Sequence, residues 1–445
     1  MTAQERAKRL WSMRLWLAPG MGVKRYVSAA VIGSIFVLIG VVGAMLWLFS
    51  GSREVLSDPI EGLLVSNPWL RYGHLVSGVL VLGGLVTVIS SIGRLNRSLL
   101  SNWMSRPHEA AQLLHRRLQL SKGPRIVAFG GGTGLSNLLR GLRAHSSNLT
   151  AVVTVADDGG SSGRLRVAFG MPAPGDLTDC FTALSDNEQE LSRLMQYRFE
   201  RGEELQGHTF GNLLITTLTE VEGDFGSAVK SLNGLLNLSG SVYPATTEPV
   251  SLVVTKENGE VVRGESAVRT APGAVSSVEI EPEGAKALPE VIEAVERADV
   301  IVLSPGSLFT STIPPLLVRE TQQALRRTRA PLLYVCNIMT EAGETDGFDA
   351  FEHVQKITEH LGRAPDCVVV NRGTVDAARL RAYEAEGAQL VDPTPELLKE
   401  AEIELVQLDL VGSGPHAQHD AEALASWLAD YCRQRQVAQK VGARA

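Results

Sequence analysis

Two stretches of this chain carry no charge at all, Val27 to Phe49 and His74 to Ile92. Each is close to the roughly 20 apolar residues that span a ~30 Å hydrocarbon core as a helix. The first is too long for the apolar part of a signal peptide, and a second follows it, so the pattern predicts two spanning helices. Residues 97–122 are polar and basic, with helical spacing at Leu113, Leu114 and Leu118, and predict a juxtamembrane helix or linker. Beyond them the pattern changes. Short continuous apolar runs stand at Ile126 to Phe129, Ala151 to Ala156, Val300 to Leu303, Leu332 to Cys336 and Cys367 to Val370, alternating with amphipathic stretches such as Leu135 to Ala144. Runs of that kind are strands covered on both faces, so the expected fold class is α/β, a Rossmann-like parallel sheet with helices on both sides. One region departs from it: Ser251 to Thr255 and Val261 to Gly264 flank a turn with Asn258-Gly259, which predicts a hairpin in a small antiparallel insert.

The resulting organisation is a basic N-terminus (1–26), a two-helix anchor (27–96), a linker (97–122), one α/β domain (123–433) whose last helix covers Ala421 to Arg433, and a frayed tail (434–445). Charge refines it. The net charge of -7 divides unevenly: residues 1–122 hold 14 Lys and Arg against 5 Asp and Glu, leaving 28 against 44 in the rest. A strongly acidic main body argues against nucleic acid as a partner. Arg6, Lys8, Arg9, Arg14, Lys24 and Arg25 precede the first span, and Arg94, Arg97, Arg106, Arg116 and Arg117 follow the second. The loop between has only Arg53 and Arg71 beside three acids, so both termini are expected in the cytoplasm, with the chain in the inner membrane. Trp47 and Trp69 suit interfacial positions, and Gly40 with Ala44 makes a small-residue pair for helix packing. Cys180, Cys336, Cys367 and Cys432 have no paired spacing and read as free, mostly buried thiols.

In an open α/β sheet, ligands sit beyond the carboxyl ends of the strands, and the chemistry-bearing residues fall there repeatedly. After the first run comes Gly130-Gly131-Gly132-Thr133-Gly134, opening a helix, where close backbone approach and the helix dipole suit an anion or simply make a tight turn. It is not the dinucleotide fingerprint, because Leu135 stands where the last glycine belongs. The second run ends in Asp157-Asp158-Gly159-Gly160-Ser161-Ser162-Gly163-Arg164. The two carboxylates fit a ribose hydroxyl, a Mg²⁺ ion or a transferred proton; the serines and Arg164 supply donors. Gly175-Asp176 occupies a turn, and His208 and Asn212 precede an apolar helix, as ligand contacts or as its cap. Pro305, Gly306 and Ser307 follow the run at Val300; Asn337, Thr340 and Glu344 follow the one at Leu332. No motif requires a cofactor, and Mg²⁺ on Asp157 and Asp158 is the metal these residues allow.

Gly130 to Ser136, Asp157 to Arg166, Gly175-Asp176, His208 to Asn212, Ser304 to Pro314 and Tyr334 to Thr345 together resemble the gluconeogenesis factor family (YvcK-like proteins), relatives of the 2-phospho-L-lactate transferase (CofD-like), over about Arg125 to His416. The resemblance implies a UDP-sugar ligand such as UDP-N-acetylglucosamine, self-association into a homo-oligomer, and a role in growth on gluconeogenic carbon and in cell shape, with cell-wall synthesis proteins as partners. Thr178-Asp179 departs from the Arg-Asn that the family commonly has, which puts one polar contact in doubt. The two spans are additional to the soluble members. A nucleotide-sugar-binding regulator without catalysis is the expected function. A Mg²⁺-dependent transferase acting on a nucleotide-activated phospho-hydroxyacid is the alternative.

Overall fold

The computed structural model describes residues 23–50, 72–100, 110–271 and 273–442, and the chain divides into two units, Met1–Arg116 and Arg117–Ala445.

In the first unit, helices Val23–Ser50 and Gly73–Leu100 contain the two apolar stretches, and both are long and apolar enough to cross a membrane. Little of either is buried in the protein, and Leu46, Val79 and Ile89 are about two-thirds exposed. The core helix of a soluble protein would be covered instead. The two helices meet where Gly33 and Gly84 face each other, with no room for a side chain on either; Gly40 packs on Ser77 and Val81 in the same way. Small residues let the backbones approach. Gly40 was legible as a packing residue, whereas Gly33 and Gly84 became visible only once the helices were paired. Trp47 lies against His74 with ring centroids 4.8 Å apart. Arg6, Lys8, Arg9, Arg14, Arg53, Trp69, Arg71 and Arg106 lie outside the described residues. Leu114 and Leu118 lie on the helix Ala110–Leu120, within the expected linker.

The second unit is the expected α/β fold. Its parallel sheet comprises β1 (Ile126–Gly130), β2 (Leu149–Val153), β3 (Ser241–Pro244), β7 (Val300–Leu303), β8 (Leu332–Val335), β9 (Cys367–Asn371) and β10 (Glu404–Leu408). Their order is β10-β9-β8-β7-β1-β2-β3, every pair parallel. The chain winds outward from β1 to β3, returns to β7 on the other side of β1, and winds outward again. The order therefore reverses between β1 and β7, which opens a crevice at the carboxyl ends of these two strands. Strands β1, β7 and β8 are buried throughout, as continuous apolar runs require.

Between β3 and β7 the chain forms the antiparallel insert, β4 (Ser251–Lys256), β5 (Val261–Arg263) and β6 (Val275–Glu281), in the order β5-β4-β6. The hairpin at Asn258-Gly259 is present, and β6 adds a third strand. The last helix covers Ala421–Gly442, longer than the periodicity indicated. All four cysteines are buried and free, and burial pushes the thiols of Cys336, Cys367 and Cys432 up to about 12.

Candidate functional site

The glycine loops stand at the carboxyl ends of β1 and β2 and lead into helices Gly132–Leu142 and Gly160–Phe169. Each helix begins on a glycine in the left-handed region, Gly132 at φ 56° and Gly160 at φ 50°, so the chain turns sharply out of the sheet and aims first-turn N–H groups at the crevice. Leu135 is buried and fills the core under the first helix, while Gly134 makes the close approach: a Cβ there would strike the Pro305 carbonyl oxygen. The β1 and β7 loops are thus in direct contact across the switch point. Gly131 lies against the Asp176 carboxylate in the first turn of helix Gly175–Leu184.

Around the end of β2 a polar network forms. Ser161 and Ser162, in the first turn of their helix, both accept hydrogen bonds from the Asn212 Nδ2 amide, at 3.1 and 3.2 Å. His208 Nδ1 is 3.0 Å from Ser161 Oγ. Burial, with Arg164 and Arg198 nearby, lowers the His208 pKa, so the ring is neutral at pH 7. His208 does not cap the following helix. Thr209 does, its side chain accepting from the Asn212 N–H, which leaves His208 to bond Ser161 and the Asn212 amide to bond both serines.

The paired aspartates diverge. Asp157 Oδ1 accepts from the Gly159 N–H at 2.8 Å and stays on the site side, whereas Asp158 Oδ1 accepts from the Ser266 N–H of the insert at 2.9 Å. Among the described residues no three His, Cys, Asp or Glu side chains converge as metal ligands. Asp158 is thus turned toward the insert and bonded to its backbone. Arg166, which the sequence reading left out of the site, donates to Ala156 O and to Ser251 Oγ of β4, at 3.3 and 2.6 Å. Burial lowers its pKa, opposed by Asp158 and Asp157. Exposed Arg164 donates to the Gln206 carbonyl. Thr178 bonds the Gly175 carbonyl and packs on Gly211, and burial raises the Asp179 carboxyl, opposed by Gln196 and Arg140. The departure from the family pattern therefore falls on groups engaged with the protein.

The β7 and β8 loops form the second half. Asn337 clasps Gly306 at both backbone groups, Oδ1 accepting from its N–H and Nδ2 donating to its carbonyl, at 2.9 and 2.8 Å. Ser307 donates to Glu344, and Thr340 exchanges hydrogen bonds with the Gln389 backbone. Asn337 and Ser307 hold the two loops together, and Thr340 ties the β8 loop to Gln389. Beside them is a cavity of about 230 Å³, lined by Thr133, Gly134, Asn137, Pro305, Gly306, Asn337, Thr340, Tyr383 and His419. Tyr383 and His419 were not legible as site residues, being far along the chain from any strand-end loop. Tyr383 packs in a small satellite cluster with Ile338, Met339 and Val375 and accepts from the Ala417 N–H. His419, buried, bonds the Cys336 carbonyl at 3.1 Å, and burial brings its pKa down to about 4. Ser304 Oγ and Asn212 Oδ1 are buried without hydrogen-bond partners, one at the end of β7 and one beside the β2 loop. A larger cavity of about 680 Å³, lined by Ser185 to Asn187, Leu194, Tyr197 and Leu235 to Asn237, includes none of the strand-end glycine loops.

Comparison with known proteins agrees with this architecture. The family model of the 2-phospho-L-lactate transferase CofD matches residues 126–411. The gluconeogenesis factor of Bacillus subtilis is 40% identical over 317 residues, 71% of this chain and 100% of its own length. A related protein of Deinococcus radiodurans is 46% identical over 384 residues, 85% of this chain and 81% of its own, a match long enough to reach upstream of residue 126. A crystal structure from Bacillus halodurans, of a UPF0052 family member, superposes with a TM-score of 0.67 at 39% identity, covering 69% of this chain and 99% of that one.

Proposed function

The chain belongs to the gluconeogenesis factor family, and from that premise we propose that it is a membrane-anchored regulatory protein that binds a nucleotide sugar of the UDP-N-acetylglucosamine type. Its role would be the one the family resemblance implies, growth on gluconeogenic carbon sources and maintenance of cell shape, through contact with cell-wall synthesis proteins. The observation that carries the reading is the crevice between β1 and β7. The helix that follows β1 opens at it and the helix that follows β2 opens on the other side of β1; Ser304 Oγ, at the end of β7, and Asn212 Oδ1, beside the β2 loop, are buried without partners. A cavity of about 230 Å³ adjoins it. Helix N-termini suit a diphosphate, and the cavity has the size of one compact ring system. Tyr383, Asn137 and Thr340 offer it an aromatic face and polar edges.

In this reading the two apolar helices anchor the protein, with the basic flanks holding both termini in the cytoplasm, and the copies self-associate. Mg²⁺ is held by Asp157 and the ligand phosphates. The match to the transferase family favours one alternative: joining a nucleotide-activated phospho-hydroxyacid to an acceptor alcohol, chemistry that rests on charge stabilisation and positioning.

Calorimetric titration of the full chain in nanodiscs separates the two. Saturable binding of UDP-N-acetylglucosamine, weaker binding of UDP and no turnover support the regulator. Binding of GDP alone, with product formed from an activated phospho-hydroxyacid, would replace it with the transferase.

A further inference from the structure

This inference rests on the nucleotide-sugar reading and concerns the chemistry that the β2 half of the site recognises. Asn212 is only 4% exposed, yet its Oδ1 has no partner while its Nδ2 serves both Ser161 and Ser162. Ser161 Oγ also lies 3.4 Å from the Thr209 N–H and 3.0 Å from His208 Nδ1. Its hydroxyl has one proton to give, and in the tautomer with Nδ1 unprotonated His208 is the acceptor for it. The orphan carbonyl therefore stands beside the first turn of a ten-residue helix whose first N–H groups have no partner within the helix. That places an acceptor where the helix dipole favours an anion.

We propose that Ser161 relays the protonation state of His208 to Asn212, making the first turn of helix Gly160–Phe169 a phosphate subsite that takes up a proton together with its anion. When His208 is neutral, Ser161 donates to Nδ1 and the Asn212 amide must give its N–H to Ser161, leaving the carbonyl toward the subsite. When His208 is protonated, Nδ1–H donates to Ser161 Oγ, and the hydroxyl proton turns to Asn212. The amide then rotates by half a turn, its oxygen accepting from Ser161 and Ser162. Its Nδ2 joins the helix N–H groups as a donor to phosphate. Asn212 is thus the specificity-determining residue, and Ser161 and His208 position it. The charges acting on His208 are Arg164, from the helix of Ser161, and Arg198, which donates to the Gly207 carbonyl. Without a ligand these and burial keep the ring neutral. The anion is served by the Asn212 Nδ2 and opposed by its Oδ1, and the orientation that presents Nδ2 requires the imidazolium, so proton and phosphate bind with mutual reinforcement through the relay.

Calorimetry in buffers of different ionisation enthalpy counts the protons. A UDP-sugar diphosphate is fully ionised between about pH 6 and 8, so any proton taken up belongs to the protein. With the full chain and UDP-N-acetylglucosamine, the relay predicts uptake approaching one proton near the acid end of that range. Affinity should rise by up to about tenfold per pH unit of acidification between the free and bound His208 pKa values. His208→Gln abolishes both. In Ser161→Ala the gain on acidification falls below about twofold, and Ser161→Thr restores it. A full gain retained in Ser161→Ala would show direct charge attraction and overturn the relay. Binding without proton uptake in the wild type overturns the inference and leaves the functional reading standing. Absence of binding at every pH overturns both.

Discussion

Leu135 shows how far single residues could be read. Its presence in place of a glycine excluded the dinucleotide fingerprint from sequence alone, and its burial in the core explains the substitution. That Gly134 is the tighter position was not legible, because the atom it must avoid, the Pro305 carbonyl oxygen, comes from a loop about 170 residues away. Gly134→Ala should displace the β7 loop, costing about 2–4 kcal/mol in denaturant unfolding and at least tenfold in ligand affinity. His419 was missed for the same reason, since a lone histidine near the end of the chain carries no local signal. Its pKa of about 4 lies below the unfolded value near 6.5, so the unfolded chain binds the proton more readily between the two. Stability is therefore full above about pH 6.5 and falls by about 3 kcal/mol as the pH drops to 4. Urea unfolding across that range should show the slope, and His419→Gln should reduce it.

Among the elements, those with strong local patterns were legible, and the edges were not. Runs such as Val300–Leu303 read as strands because nothing polar interrupts them. β3 ends in Pro244 and is only half buried, and β10, at the other edge, carries exposed Glu404 and Gln407, so neither shows an apolar run. The insert was legible as a hairpin, but not its attachment to the site. Asp158 and Arg166 fasten it on the β2 side. On the β8 side the fully buried Lys256 donates to the carbonyls of Val268, Ala271, Gly273 and Gly343. Asp158, one of the two carboxylates that the sequence offers to a ligand or Mg²⁺, accepts from the Ser266 N–H of the insert. Lys256→Met leaves several buried carbonyls without their donor and should cost about 2–4 kcal/mol. Asp158→Ala should speed backbone hydrogen exchange in residues 264–271 while leaving β1 and β2 protected.

At the scale of the whole molecule, the chain combines an α/β unit with an apolar unit, and the match to the Bacillus subtilis relative spans 71% of it. The proposed anchoring predicts that the protein stays in the membrane pellet after alkaline carbonate washing, and that protease reaches the α/β unit in inverted vesicles but not in right-side-out ones. Release by carbonate would remove the anchor from the account. The central claim is the place of the ligand, at the switch point between β1 and β7. Hydrogen exchange of the full chain with and without UDP-N-acetylglucosamine tests it most directly. A ligand at the switch point should protect residues 130–137, 157–164, 304–312 and 337–345. Protection confined to residues 185–197 and 235–237, around the other cavity, would contradict it.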